Sequence, residues 1–174
     1  MKTKNVTAVL SLAALTMTIA CAQQKPLSPP EQTSVTIDGK TITIKYSAPS
    51  VRGRKIFGGL VPYGKVWRAG ANEATSLSTT GDLDINGLRV PAGNYTLYVM
   101  PEANSWTLIV NKQTGQWGTE YNQSQDLGRV KMNVTKSSAP AEMYKMTLKN
   151  DGGNKGTLTL EWENSVASVP FTVH

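Results

Sequence analysis

The sequence predicts an all-β protein, a two-sheet antiparallel β-sandwich or jelly roll of about ten strands after an N-terminal signal segment. From Thr33 onward, short β-branched or aromatic runs alternate with turn residues, which is typical of closely spaced strands. Apolar and polar residues alternate over Thr157–Trp162, as expected when one face of a strand is buried. No window keeps a long helical period. A closed barrel is the second choice.

Individual strands are predicted from these runs and from the turns between them. Val35–Ile44 is expected to form a hairpin that turns at Asp38-Gly39, and Leu83–Val90 a second one that turns at Asn86-Gly87. Residues 95–100 and 106–110 are predicted to pair across a loop, and later strands fall at 130–134, 143–148, 157–162 and 169–173. Residues 150–154 would connect the last hairpin, and a turn of helix is expected near Tyr63–Arg68.

The first twenty residues predict export. Two lysines lie within Met1–Lys4, and a run of small and apolar residues without charge follows, from Val6 to Ala20. The run is shorter than the roughly 20 residues that a membrane-spanning helix needs. Residues 1–20 are therefore predicted to be a signal peptide.

Cys21 is the predicted lipid anchor. The run Thr18-Ile19-Ala20-Cys21 resembles a lipobox with Thr18 in place of the usual leucine, while Ala20-Cys21-Ala22 also fits ordinary secretion with cleavage after Ala22. A lone cysteine cannot form an internal disulfide, and acylation would remove a free thiol from an oxidising compartment. A lipoprotein is therefore favoured over simple secretion to the periplasm. The residues after Cys21, Ala22-Gln23-Gln24-Lys25, include no Asp, which resembles outer-membrane lipoproteins that face the periplasm.

The remainder divides into a tether and one domain. Residues 21–32 are rich in Gln, Pro and Ser and are expected to link the lipid to a single domain over residues 33–174. Without Lys2 and Lys4, 16 basic residues stand against 12 acidic ones, which gives a net charge of +4. Because this charge is spread along the chain, no nucleic-acid partner is expected.

Several kinds of catalytic and metal site are excluded by composition. The only histidine is the terminal His174 and the only cysteine is Cys21, so a Ser-His-Asp triad and a His/Cys zinc site are not expected. A partial calcium-loop pattern begins at Asp82, but its twelfth position is Gly93 instead of the bidentate Glu. No cofactor and no metal are predicted.

Residues 46–75 differ from the rest of the chain. They combine five glycines with arginine, aromatic and amide side chains, which predicts a long loop that needs a structural or functional reason. Guanidinium groups suit carboxylate and phosphate, and indole rings offer stacking faces. The predicted ligand-binding residues are Arg52, Arg54, Trp67, Arg68, Asn72, Glu73 and Trp117.

Three functions stay open at this point. The favoured one is a non-catalytic binding module for an anionic or carbohydrate-like ligand. An envelope glycan hydrolase would use Glu73 with a second acid, for which the sequence offers Glu120, Asp126 or Glu142. In a purely structural protein, Trp67 would fill the core while Arg68 and Glu73 form an ion pair.

Several motifs in this order resemble one bacterial family. The runs Tyr46–Arg54 and Ile56–Gly58 resemble the opening motif of the family called domain of unknown function 2911, and Leu60–Thr75 resembles its most distinctive stretch. Residues 91–97, 106–109, 111–112 and 116–118 follow in the family's order. The resemblance spans nearly the whole chain after Cys21 and implies an exported β-sandwich protein, without an activity or catalytic residues to transfer.

Overall fold

The structure, a computed structural model, describes residues 26–174, where it contains nine β-strands, one short 3-10 helix and no α-helix. The strands are β1 Pro30–Ile37, β2 Lys40–Ser47, β3 Thr75–Thr79, β4 Leu83–Ile85, β5 Leu88–Val90, β6 Gly93–Pro101, β7 Trp106–Asn111, β8 Asp126–Gly152 and β9 Lys155–Val173. The all-β class is confirmed. The predicted signal peptide and Cys21 lie outside the described residues.

All nine strands belong to one antiparallel sheet, in the order β1-β2-β3-β6-β7-β8-β9-β4-β5. The sequence predicted two sheets, and the long strand β8 is what joins them. Its first part, up to Met132, pairs with β7, and the part from Asn133 onward pairs with β9. Register shifts between Lys136 and Lys145 interrupt the second ladder, and such bulges let a long strand bend.

The sheet curves until its first strand approaches β8 again. The Leu148 amide donates a hydrogen bond to Thr33 Oγ1 at 3.1 Å, and the Tyr144 amide donates to the Pro49 carbonyl at 2.8 Å. These bonds involve a side chain and a loop, so β1 and β8 meet without a regular ladder. The four strands predicted between residues 130 and 173 are parts of only two, β8 and β9.

Both predicted two-residue hairpins are confirmed. Asp38 and Gly39 have φ angles of 48° and 71°, and Asn86 and Gly87 have 48° and 91°, which is the left-handed geometry that tight hairpin turns require. The Gly87 amide also donates to Asp84 Oδ1 at 2.6 Å. This carboxylate, part of the partial calcium pattern, therefore serves the hairpin.

Two local predictions differ from the structure. The expected helical turn at Tyr63–Arg68 is wrong, since the residues form turns and Trp67 exchanges backbone hydrogen bonds with Val99 of β6, at 2.7 and 2.9 Å. Pairing with a sheet edge thus replaces local helical bonds. Strand β3, which the sequence did not predict, lies between β2 and β6.

The core lies between the curved halves of the sheet. In β9, the alternation predicted over Thr157–Trp162 is confirmed, because Leu158, Leu160 and Trp162 are all buried. Every described strand and the buried apolar cluster fall within residues 30–173. This part of the chain therefore contains the hydrogen bonds and the core that a domain needs to fold by itself.

Candidate functional site

A cavity of about 420 Å³ opens beside the loop of residues 48–74, which connects β2 to β3. Five of the seven predicted ligand-binding residues line it, namely Arg52, Arg54, Trp67, Arg68 and Asn72. None of the described residues that line it is acidic. The loop thus brings three guanidinium groups to one concave surface without a carboxylate among them.

Backbone carbonyl groups hold two of these arginines. Arg52 Nη2 donates to the Leu27 carbonyl at 2.6 Å, while Arg54 donates to the Ser50 carbonyl at 2.6 Å and to the Val51 carbonyl at 3.0 Å. Neither guanidinium forms an ion pair with a carboxylate of residues 26–174. Carbonyl groups carry only a partial charge, so the positive charge of both side chains is not neutralised.

Arg68 is held by packing. Its Nε atom is buried and has no hydrogen-bond partner among the described residues. A Cβ atom at Gly118 would lie 2.2 Å from Arg68 Cδ and 2.6 Å from the Asn72 carbonyl oxygen, so the absence of a side chain at Gly118 makes room for the arginine. A buried donor without a partner costs free energy, and a bound anion would offset this cost.

Glu73 does not form an ion pair with Arg68, contrary to what the hypothesis of a purely structural protein predicted. Glu73 is exposed and forms no ion pair within the described chain. Its backbone bridges to Trp117, and its side chain lines a neighbouring open groove of about 520 Å³ together with Glu31 and Lys45. Asn72, with φ of 58°, stands at the point where the chain leaves the arginine cavity for this groove.

The two predicted tryptophans occupy different environments. Trp67 lines the cavity and stacks on Trp162, with ring centroids 5.5 Å apart and planes 17° apart, and it meets Tyr144 edge to face at 5.1 Å. Trp117 is 49% exposed and does not line the cavity. Trp67 is therefore both a core residue and a wall of the cavity, which the sequence treated as alternatives.

Left-handed backbone geometry is concentrated in the same loop. Arg52, Ala69 and Asn72 have φ angles of 49°, 51° and 58°. For residues other than glycine such angles cost about 1 kcal/mol or more, with asparagine the most tolerant. Such residues occur preferentially at functional sites, and here two of the three line the cavity.

Sequence reasoning missed three parts of the site. Trp162 comes from β9, Leu27 and Ser28 come from the predicted tether, and Gly118 packs against Arg68. The alternation in β9 indicated only that Trp162 is buried. No local signal links residue 27 or residue 162 to the loop, because both approach it through tertiary folding.

The possible second acids of a hydrolase are engaged elsewhere or lie apart from Glu73. Asp126 accepts hydrogen bonds from Asn111, Tyr121 and Arg129, and Glu142 Oε1 accepts the Arg52 amide at 2.9 Å. Glu120 does not line the groove of Glu73, whereas Glu31 does. Glu31, which the sequence did not single out, thus shares a groove with Glu73.

Two tyrosines have raised pKa values for physical reasons. Burial, followed by the hydrogen bond to Asp126 and the charge of that carboxylate, raises the pKa of Tyr121 to about 12. Tyr144, which packs on Trp67 and Trp162, is fully enclosed, and burial raises the pKa of its phenol well above the usual value. Both phenols are therefore neutral at physiological pH.

Residues 26–174 contain no helix that is long and apolar enough to span a bilayer. Within the same residues, no three His, Cys, Asp or Glu side chains gather in a way that could hold a metal ion.

The fold and the cavity define the class of protein to which the chain belongs. It is an all-β protein with an arginine-lined cavity beside a long glycine-rich loop. Residues 28–171 match the family described as protein of unknown function (DUF2911), and the chain belongs to this family. The resemblance found in the motifs of residues 46–118 is thereby confirmed. No curated protein and no solved structure matches the chain.

Proposed function

We propose that the protein is a cell-envelope lipoprotein whose cavity binds a small anionic ligand without catalysis. The observation that carries this proposal is the set of three arginines, Arg52, Arg54 and Arg68, in one cavity that no described acidic residue lines. Guanidinium forks bind carboxylate and phosphate groups by paired hydrogen bonds. The cavity volume of about 420 Å³ is within the range of small-molecule sites.

Arg68 is the residue on which the anion would depend most. The carbonyl groups of Leu27, Ser50 and Val51 already accept hydrogen bonds from Arg52 and Arg54, whereas Arg68 has no such partner within the described residues. Trp67 beside it offers an apolar face and Asn72 an amide. A sugar acid or a sugar phosphate would use all of these groups, which keeps the carbohydrate-like ligand within the proposal.

The test is binding of small anions to the purified protein. Phosphate, a sugar acid and a sugar phosphate are titrated while the thermal midpoint is recorded, with the uncharged sugar for comparison. A bound anion raises the midpoint by mass action, and we expect this rise in the wild type and not in Arg68→Met. Lys155→Met is the matched control, because Lys155 is exposed at the turn between β8 and β9. A rise that persists in Arg68→Met would rule the cavity out.

The lipid anchor is the second part of the proposal. Acylation of Cys21 would place the protein on the outer membrane, facing the periplasm, through a tether that ends at Pro30, where β1 begins. Growth with a clickable palmitate analogue should label the wild type, and Cys21→Ser should abolish the label. If the Cys21→Ser variant keeps the label, Cys21 is not the anchor. If the wild type is not labelled, cleavage after Ala22 is indicated instead.

The glycan hydrolase is a second candidate because Glu31 and Glu73 line the same open groove. Paired carboxylates about 5–10 Å apart are the usual requirement for glycoside hydrolysis. If this is the activity, release of reducing ends from envelope glycan should be lost in Glu73→Gln and in Glu31→Gln and kept in Glu120→Gln. No release by the wild type would remove this candidate. A purely structural protein would respond to neither anions nor glycan.

A further inference from the structure

Two of the five exposed large apolar side chains of the described residues line the arginine cavity, and the other three are close in sequence or by backbone contact to residues that border it. The five are Leu27, Leu60, Tyr63, Trp117 and Met143. Leu27 and Leu60 line the cavity, and they are 72% and 50% exposed. We call these five residues the apolar rim. Contiguous exposed apolar residues with polar neighbours mark interaction sites.

The other three residues of the rim adjoin the cavity through named contacts. The Tyr63 ring covers Gly58, where a Cβ atom would lie 2.9 Å from Tyr63 Cε2, and the Gly58 amide donates to the carbonyl of Val61, which lines the cavity. Met143 bridges to Ser50 on the cavity wall. Trp117 precedes the glycine that packs on Arg68.

At this face the chain from Tyr46 to Asn72 carries only positive side-chain charge, and the Glu142 carboxylate accepts a hydrogen bond from the Arg52 amide at 2.9 Å. Residues 46–72 contain five basic residues and no acidic residue. Two of the five, Lys55 and Lys65, are exposed and form no ion pair with a described carboxylate. Basic residues with aromatic and aliphatic side chains between them are typical of a surface that meets lipid headgroups.

The tether connects this face to the proposed acyl anchor. Arg52 holds the Leu27 carbonyl at 2.6 Å, and Leu27 is six residues from Cys21. Six residues span at most about 20 Å when fully extended. An acyl group on Cys21 would therefore keep Leu27, and with it the edge of the cavity, within this distance of the bilayer.

We propose that the cavity face docks on a bilayer that contains anionic phospholipid, with a headgroup phosphate in the arginine cavity and the apolar rim at the lipid interface. The inference rests on the proposed anion binding and on the proposed acyl anchor, and it names the ligand class. An acidic peptide offers similar charges, but only the bilayer also explains why the face carries the tether.

The test uses residues 22–174, which include every described strand, so neither the acyl group nor the signal segment contributes to binding. The protein is sedimented with vesicles of phosphatidylcholine alone or mixed equally with phosphatidylglycerol. We expect binding to the mixed vesicles only, weakened by salt. Each basic residue near a bilayer contributes about fivefold in affinity, so Lys55→Gln and Lys65→Gln should each reduce binding by that factor. Lys155→Gln should not.

The rim variant separates docking from anion binding. Tyr63→Ser combined with Met143→Ser, at two rim residues that do not line the cavity, should reduce vesicle binding at least tenfold and leave the phosphate-induced rise of the thermal midpoint in place. Equal binding to neutral vesicles, or full binding by this double variant, would overturn the docking proposal. A phosphate response without vesicle binding would overturn docking alone. Both proposals would be overturned if the wild type showed no phosphate response and Arg68→Met still bound vesicles. Binding of a polyglutamate peptide, without binding of vesicles, would overturn docking on a bilayer in favour of a protein partner.

Discussion

The indole of Trp67 stacks on that of Trp162, with ring centroids 5.5 Å apart and planes 17° apart. This contact joins the loop of residues 48–74 to β9. Phe57 meets both rings edge to face, at 6.5 and 6.1 Å. Because the stack also forms a wall of the cavity, the same side chain supports the fold and shapes the site.

We expect Trp67→Ala to lower the free energy of unfolding by about 3 kcal/mol, because it leaves an apolar void beside Trp162 and Tyr144. Trp117→Ala, at an indole that is 49% exposed, should change it by less than about 0.5 kcal/mol. Urea denaturation followed by circular dichroism measures both. Equal effects for the two variants would contradict the assignment of Trp67 to the core.

Arg68→Met should raise the free energy of unfolding by about 1 kcal/mol, because it removes a buried donor that has no partner and keeps the aliphatic stem. Arg129 is the control, since it donates to Asp126 at 2.8 Å and to Tyr121 at 2.7 Å. Arg129→Met should lower the free energy of unfolding by about 1 kcal/mol, because it removes a charged donor from the Asp126 carboxylate and the only donor to the Tyr121 oxygen among the described residues. A loss of stability in Arg68→Met would mean that the guanidinium serves the fold.

Gly118→Ala should displace Arg68, since the new Cβ atom would lie 2.2 Å from Arg68 Cδ. We expect a loss of about 1–3 kcal/mol in the free energy of unfolding and weaker anion binding. Gly115→Asn is the control, because Gly115 has φ of +79° with nothing within 4 Å of an added Cβ, and asparagine tolerates this geometry. Anion binding by Gly118→Ala at wild-type strength would show that the position of Arg68 is not critical.

Stability should fall in alkaline solution as the pH rises from about 10 to about 12. The folded pKa of Tyr121 is raised to about 12, whereas an unfolded tyrosine ionises near 10. Over that interval the unfolded chain binds fewer protons, so each step in pH favours unfolding. Urea midpoints across this range should decline less steeply in Tyr121→Phe. An identical slope in the variant would exclude a contribution from Tyr121.

The strands that a local signal defines were predictable from sequence. The turns at Asp38-Gly39 and Asn86-Gly87 and the alternation in β9 each depend on neighbouring residues alone, and all three are confirmed. Strand β3, Thr75–Thr79, was missed because it contains a single strongly apolar residue, Leu77. Its neighbours β2 and β6 stabilise it by pairing on both sides.

For the candidate site, the sequence indicated that residues 46–75 are rich in arginine, aromatic and amide side chains. Five of the seven predicted ligand-binding residues line one cavity. Pairing among those residues was less predictable. Arg68 and Glu73 are five positions apart in sequence, yet they line different depressions, since the backbone turns at Asn72. The bridge from Glu73 to Trp117 is a long-range contact that no local pattern encodes.

The sequence by itself determined the all-β class, the family and the set of polar residues in the β2–β3 loop, because periodicity, turn chemistry and motif order are local properties of the chain. Only the tertiary structure decided that the strands form one continuous sheet, joined through β8. It also decided that Trp162 and Leu27 complete the cavity. Arg68 Nε has no hydrogen-bond partner among the described residues, while Glu73 lines a separate groove with Glu31. The physical reason is that burial and pairing depend on which distant segments pack together, and here the bend of β8 brings β9 and β1 to the same loop.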